Sequence, residues 1–306
     1  MIKDRLRSIK NTCKKIVRTP DRLVKTVKLS CNSQHNSENM LDLAIVAIIK
    51  NEGQYIEEWV RYHIVAGVQK FYLYDNDSTD NTKVVLQKYV DAGYVELIPF
   101  PGVARQLPAY NNAIAKYRYD CKCIAFIDAD EFLYSCNRQK NVREYCNEIF
   151  NSYPNIGGLA INWRMFGSSG LIDKPEQGGV LDNFLYRAKE DGRGNDCIKT
   201  IVNPRKVYAF EHVHYPTYIY GVHSIDENGN VVTGWSHPSM IIEKIRINHY
   251  FTKSKEEWIE RRKIGKADAK DRTEIRSLED FKLHDNNDIY DDGMLYYLEK
   301  MKNLKI

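Results

Sequence analysis

Apolar positions change period along this chain, and the changes predict its elements. Residues 43–49 form an unbroken apolar run, the mark of a strand covered on both faces. Ile56, Trp59, Val60, His63 and Ile64 then recur at helical spacing, and Gly67 closes the segment. Residues 71–74 read as a second strand, and Thr79 reads as the cap of a second helix reaching about Ala92. A third strand is expected over 94–99, a helix over 106–119 and a further strand over 123–127. Strands alternating with helices at such short intervals require right-handed crossovers and a mostly parallel sheet. Beyond Gly157 the pattern loosens: strands are expected at 157–163, 198–202, 206–210 and 245–250, and helices at 255–269 and 291–301. The fold class expected is therefore α/β, a Rossmann-like, mostly parallel sheet flanked by helices.

Sheets of this kind bind ligands beyond the carboxyl ends of their strands. Three polar clusters fall there: Lys50-Asn51-Glu52-Gly53, Asp75 through Thr82, and Asp128-Ala129-Asp130-Glu131-Phe132. Two carboxylates spaced D-x-D after a buried strand can meet a divalent cation together with a diphosphate. Mn²⁺ and Mg²⁺ favour such hard oxygen ligands and keep positions open for phosphate and water. Alone the motif is weak, since a turn with two solvated aspartates has the same spelling. The Asp75–Thr82 cluster can hydrogen-bond a ribose or the edge of a base, and it also suits an Asx turn with Asp80 at a helix cap.

Composition alters this picture little. Hydrophobic residues make up 43% and charged ones 28% of the 306, as in an ordinary globular chain. The 21 tyrosines and 4 tryptophans supply ring faces for sugar C–H surfaces as well as for core packing. The seven cysteines are odd in number and lack C-x-x-C spacing, so neither zinc nor a disulfide framework is expected. A net charge of +4 is too small to imply nucleic acid. No run approaches the ~18 apolar residues of a membrane span, and no secretory signal pattern opens the chain, so a cytoplasmic protein is expected. Charge is uneven, however: residues 1–28 carry ten Lys and Arg against Asp4 and Asp21. Ile2, Leu6, Ile9, Cys13 and Ile16 fit a basic amphipathic helix over 2–17 on an anionic membrane surface, and a solvated tail fits equally. The organisation expected is a basic segment and linker over 1–40, followed by one catalytic domain over 41–306.

The frame LAIVAIIKNEGQYIEEWVRYHIVAGVQKFYLYDNDSTDNT, followed by FIDADEF, resembles glycosyltransferases of the family 2 and family 92 type, with the GT-A fold. The likeness is strongest to the bacterial branch that serves surface-polysaccharide pathways such as lipopolysaccharide and capsule. It continues through INWRMFGSSG, KTIVNPRKV and INHYFTKSKEEWIERRKIGKAD and covers about residues 41 to 290. The resemblance implies a nucleotide-sugar donor, UDP-hexose first, an oligosaccharide or glycolipid acceptor, and Mn²⁺ or Mg²⁺ as cofactor. Ala47, Lys50, Asn51, Glu52, Asp75, Asp77 and Asp128 would hold the nucleotide-sugar. Asp128 and Asp130 would form the metal motif, with His249 completing the shell and His212 and His214 competing with it. Trp163, Arg164, Gly167 and Ser168 would form an acceptor loop able to close over sugar. Lys199, Arg205 and the basic run from Lys253 to Lys266 are candidates for phosphate or an anionic acceptor.

Inversion, also implied by the resemblance, needs one general base for the acceptor hydroxyl. Glu131, Glu190, Asp191 and Asp285 are open candidates. The Gln-x-x-Arg-Trp segment of processive membrane synthases is missing, which favours addition of a single sugar. Two other readings compete: a haloacid dehalogenase-like phosphohydrolase, which also uses D-x-D, and a nucleotide- or glycan-binding protein without turnover.

Overall fold

A computed structural model describes residues 20–29, 40–240, 242–264 and 277–306. The expected helix over 2–17, the linker and the far end of the helix expected to reach Ala269 lie outside the described residues.

Strand β1 (Leu41–Ile49) occupies the middle of the sheet because both its faces are apolar. Leu43, Ile45, Ala47 and Ile49 join one hydrophobic core, while Ala44, Val46 and Ile48 join the other, as the two-residue period of a strand dictates. Strands β2 (Lys70–Asp75), β3 (Val95–Pro99) and β4 (Cys121–Phe126) add in parallel, in the spatial order β3-β2-β1-β4. Residues 20–29 form a helix, α1, which Arg22 and Lys25 tie to the backbone carbonyls of Tyr218 and Tyr208. Helices α2 (Ile56–Val65) and α3 (Thr82–Asp91) pack Trp59, Val60, Leu86 and Tyr89 on the first core. Helix α4 (Gln106–Tyr117) packs Ala109, Tyr110, Ala113 and Ile114 on the second. The chain therefore changes face between β3 and β4, and strand order reverses at β1. A reversal of this kind opens a crevice between the carboxyl ends of the two strands concerned, β1 and β4.

The second half broadens the sheet. Strand β5 (Glu131–Ser135) follows at once, and α5 (Val142–Ser152) returns to the first core. Strand β6 (Gly158–Met165), helix α6 (Val180–Asn183), strands β7 (Tyr186–Arg187), β8 (Ile198–Val202), β9 (Val207–Phe210) and β10 (Pro216–Tyr218) come next. Strands β11 (Ser224–Ile225), β12 (Val231–Val232) and β13 (Ile245–His249) precede α7 (Lys255–Ile264), α8 (Leu278–His284), β14 (Ile289–Tyr290) and α9 (Leu295–Lys302). β8 lies antiparallel between β4 and β6, while β13 runs parallel to β6 and antiparallel to β5. The result is the expected α/β fold, its central sheet mostly parallel and flanked by helices.

Three local expectations shift. The second helix begins at Thr82 with Asn81 as its cap, because Thr79 donates its backbone N–H to Asn51 in the neighbouring loop. The run from Glu131 to Ser135 is a buried strand rather than loop, paired residue for residue with β13. The last helix starts at Leu295, since Asp291 is held by Arg187 and Arg246.

Candidate active site

A cavity of about 1080 Å³ opens at the carboxyl ends of β1, β2 and β4. Lys50, Asn51 and Glu52 reach it from β1, Asn76 and Asp80 from β2, and Asp128 to Asp130 from β4. The connection from β13 adds His249, Phe251 and Lys253, and α7 and α8 add Glu257, Glu260, Arg261 and Asp280. Trp163 and His214 line it as well.

The loops after β1 and β2 are laced together. Asn51 N donates to Ser78 Oγ at 3.0 Å, Glu52 N to Thr82 Oγ1 at 2.9 Å and Gly53 N to Asp80 Oδ2 at 2.9 Å. In return Asn51 Oδ1 accepts from Thr79 N at 2.8 Å. Asn51 itself sits at φ +54°, a left-handed conformation that asparagine tolerates better than most residues. These bonds satisfy loop backbone that would otherwise be stranded at the cavity rim.

The two aspartates of the D-x-D motif have different settings. Asp128 accepts from Gln106 Nε2 at 2.7 Å and from Lys199 Nζ at 2.8 Å. Asp130 is 5% exposed; its Oδ2 accepts from Arg261 Nη2 at 2.8 Å, and its Oδ1 lies 3.5 Å from His249 Nε2. Burial alone would raise the Asp130 pKa, but Arg261 and His249 more than offset it and hold the carboxyl well below its usual range. It stays ionised. Behind the motif, Glu131 is fully buried and accepts the Asp128 backbone N–H at 2.9 Å. Burial pushes its carboxyl well above the ordinary glutamate range, with Lys199 opposing. For Lys199 the balance runs the other way: burial would lower it, yet Asp128 and Glu131 keep it a firm cation.

Other expected residues are placed as follows. Lys50, Asn51, Glu52 and Asp128 line the cavity, whereas Ala47, Asp75 and Asp77 do not. Ala47 points into the first core, Asp75 caps its own loop and pairs with Lys83 at 3.2 Å, and Asp77 is exposed at φ +60°. Trp163 lines the cavity with its ring 4.3 Å from that of His249. Arg164 is 1% exposed and paired with Glu190, facing away from the cavity lining. Gly167 and Ser168 lie in a packed junction rather than an open loop. Ser168 N donates to Asp285 Oδ1 at 2.6 Å, and a side chain at Gly167 would collide with Asn286 and Asn287. Glu190, Asp191 and Asp285 accordingly stand outside the cavity lining, and Glu131 behind it. His214 is tied through Nδ1 to the Ile198 carbonyl, and burial lowers its pKa to about 3. His212 and Arg205 lie off the lining. Glu257, Glu260 and Asp280 were not foreseen as cavity residues; only the tertiary fold of α7 and α8 carries them there.

Among the described residues, no group of three or more His, Cys, Asp or Glu side chains forms a metal cage. Asp130 and His249 nevertheless suit Mn²⁺ or Mg²⁺. Such ions are commonly held by one or two protein groups with phosphate oxygens and water filling the rest. Among the described residues the imidazole Nδ1 of His249 is buried without a hydrogen-bond partner, and the ring packs against Trp163.

The chain belongs to glycosyltransferase family 92, whose profile matches residues 46–280. It is 28% identical over 175 residues to a family 92 protein of Ricinus communis, covering 56% of this chain and 31% of that protein. A family 92 protein of Oryza sativa subsp. japonica is 26% identical over 187 residues, covering 60% and 31%. The chain thus spans about a third of the length of these curated relatives. Among solved structures, it is similar to Staphylococcus aureus TarS residues 1–349 in complex with UDP. The identity is 12%, the TM-score 0.35, and the match covers 54% of this chain and 47% of that one. Likeness at that score adds nothing to the reading of the site. Family membership removes the phosphohydrolase alternative. No helix among the described residues is long and apolar enough to cross a membrane.

Proposed function

We propose that this chain transfers a single hexose from a nucleotide-diphosphate sugar, UDP first, to a carbohydrate acceptor, with inversion and with Mn²⁺ or Mg²⁺ as cofactor. One observation carries the reading: Asp128, Asp130 and His249 converge with the β1 and β2 loops on a single cavity at the strand-order reversal. Lys50, Asn51, Glu52 and Asn76 offer hydrogen bonds to the nucleoside. Asp130 and His249 would hold the metal, which when bound supplies Lewis-acid stabilisation of the leaving diphosphate. Lys199 and Gln106 fix Asp128 so that its carboxylate does not wander into the donor.

On the acceptor side, Trp163 offers a ring face for a pyranose. The base that takes the hydroxyl proton is sought on the cavity wall, at Glu260 or Asp280, ahead of Glu190, Asp191 and Asp285. Those three lie outside the cavity lining; of the two on the wall, Asp280 accepts the Ser277 amide on Oδ2 at 2.7 Å, which leaves Glu260 the first choice. A surface glycan as acceptor rests on the resemblance of the sequence, whereas a place on an anionic membrane surface rests on the basic charge of residues 1–28 and the apolar spacing of Ile2, Leu6, Ile9, Cys13 and Ile16. The test is nucleotide release from UDP-, GDP- and CMP-sugars with and without Mn²⁺. Metal-dependent turnover of one class supports the reading. Binding of a nucleotide without turnover of any donor, across a panel of sugar acceptors, would favour a non-catalytic glycan-binding protein instead.

A further inference from the structure

We propose that Lys253 binds the sugar-linked phosphate of the leaving nucleoside diphosphate and makes the site prefer diphosphates to monophosphates; this rests on the donor reading above. Lys253 stands between β13 and α7, immediately before the Ser254 cap whose hydroxyl bonds Glu257. Its backbone lies at φ +52°, the left-handed region that disfavours any residue with a Cβ. Its side chain is only 4% exposed, yet it forms part of the cavity wall. A strained backbone and a buried ammonium both cost stability, and such costs gather where a ligand is handled.

The neighbours of the ammonium narrow the choice of ligand. Nζ lies 4.3 Å from the centroid of the Tyr55 ring, and among the described residues no carboxylate oxygen comes within ion-pair distance of it. The charged groups facing it are Glu52 after β1, Asp130 after β4, and Glu257 and Arg261 of α7. Burial, with Arg261 adding to it, lowers the lysine from its ordinary range in spite of those carboxylates, and its place on the cavity wall over the Tyr55 ring leaves the ammonium open to an anion entering the cavity. Arg261 is already committed to Asp130 Oδ2 and the Phe251 carbonyl, and Lys199 to Asp128. The wall as a whole carries seven carboxylates against four Lys and Arg side chains, so an anionic ligand is repelled except where a cation meets it. Lys253 meets it beside Asp130 and His249, the diphosphate end of the cavity.

In the reaction the acceptor oxygen forms a bond to the anomeric carbon as the bond from that carbon to the phosphate oxygen breaks. The electron pair stays on the phosphate, and the acceptor's proton goes to the carboxylate base. Lys253 keeps its own proton and donates a charge-assisted hydrogen bond to the departing oxygen.

The experiment measures UDP and UMP affinities by calorimetry with Mn²⁺ present, for the wild type, Lys253→Met and Lys253→Gly, with thermal melting of each. The wild type should prefer UDP. Both variants should lose about ten- to a hundredfold in UDP affinity while UMP affinity holds, which is the range of one charged hydrogen bond. Lys253→Gly should also melt at or above the wild-type temperature, since glycine relieves the left-handed strain; weaker binding in a sturdier protein excludes general damage. Variants that keep the wild-type UDP-to-UMP ratio overturn the inference alone. A wild type that binds neither nucleotide, with GDP and CMP also silent, overturns the donor reading and this inference with it.

Discussion

Gly53→Ala tests how the donor cavity is built. Gly53 does not adopt a left-handed backbone; glycine is required by space. A Cβ there would lie 2.9 Å from both Asp80 Oδ2 and Thr82 N and still closer to Asn81 Oδ1. The asparagine tip can swing away, but Thr82 N is backbone at the first turn of α3 and Asp80 is held by two bonds to Thr82. The loops must therefore part by several tenths of an ångström. That stretches Gly53 N to Asp80 and Glu52 N to Thr82, both now 2.9 Å, towards the limit of useful hydrogen bonds. Losing most of one neutral and one charge-assisted bond, with some overpacking strain, costs about 2–4 kcal/mol. The melting temperature should then drop by about 3–7 °C for a domain of this size. Because Asn51 and Glu52 ride on the same loop, nucleotide affinity should weaken in parallel. Differential scanning fluorimetry and a nucleotide titration read both effects. Wild-type melting and wild-type affinity together would refute the claim that these loops are sterically interlocked.

Two further substitutions probe the core behind the site. His63 accepts the Leu133 N–H on Nε2 and so donates from Nδ1 to the Trp59 carbonyl; burial lowers its pKa to about 3. The unfolded chain binds its proton near pH 6.5, so the stability His63 contributes is intact above that pH and drains as pH falls towards 3, by about 2 kcal/mol at pH 5. His63→Gln, which can both accept and donate but does not titrate, should remove that share of the acid sensitivity in urea unfolding at pH 7 and pH 5; parallel losses in the two proteins would contradict it. Lys199→Met would strand Asp128 beside the buried Glu131 without their cation. It should lower the unfolding free energy by about 3–5 kcal/mol, and an unchanged urea midpoint would show that the pair is not coupled.

Much of the first half of the fold was legible, because its strands are buried on both sides and their apolar runs are continuous. β1 reads directly from Leu43 to Ile49, and the same logic found β8. Where a strand begins with acids the signal fails. Glu131 opens β5, and its charge disguised a strand whose carboxyl is fully buried behind the D-x-D turn. Helix α5 was missed although its signature was present: Asn141 and Glu144 make a capping box, and Val142, Tyr145, Cys146 and Ile149 fall at helical spacing. For the site, sequence order placed the three polar clusters because strand ends define that crevice. It could not rank carboxylates for the role of base. Glu190 and Asp285 look available in the sequence, yet each is consumed by a local partner, Arg164 and the Ser168 amide. Glu260 and Asp280 look like ordinary helix-surface acids until α7 and α8 fold over the cavity.

The central claim is a metal-assisted nucleotide-sugar site built on Asp130. Thermal stabilisation by UDP, GDP and CMP, each with and without Mn²⁺, in the wild type and in Asp130→Ala, tests it most directly. The account predicts a Mn²⁺-dependent rise with one nucleotide, at least a few degrees at saturating ligand, and its loss in the variant. A wild type indifferent to every nucleotide, or a rise that survives Asp130→Ala unchanged, would contradict it.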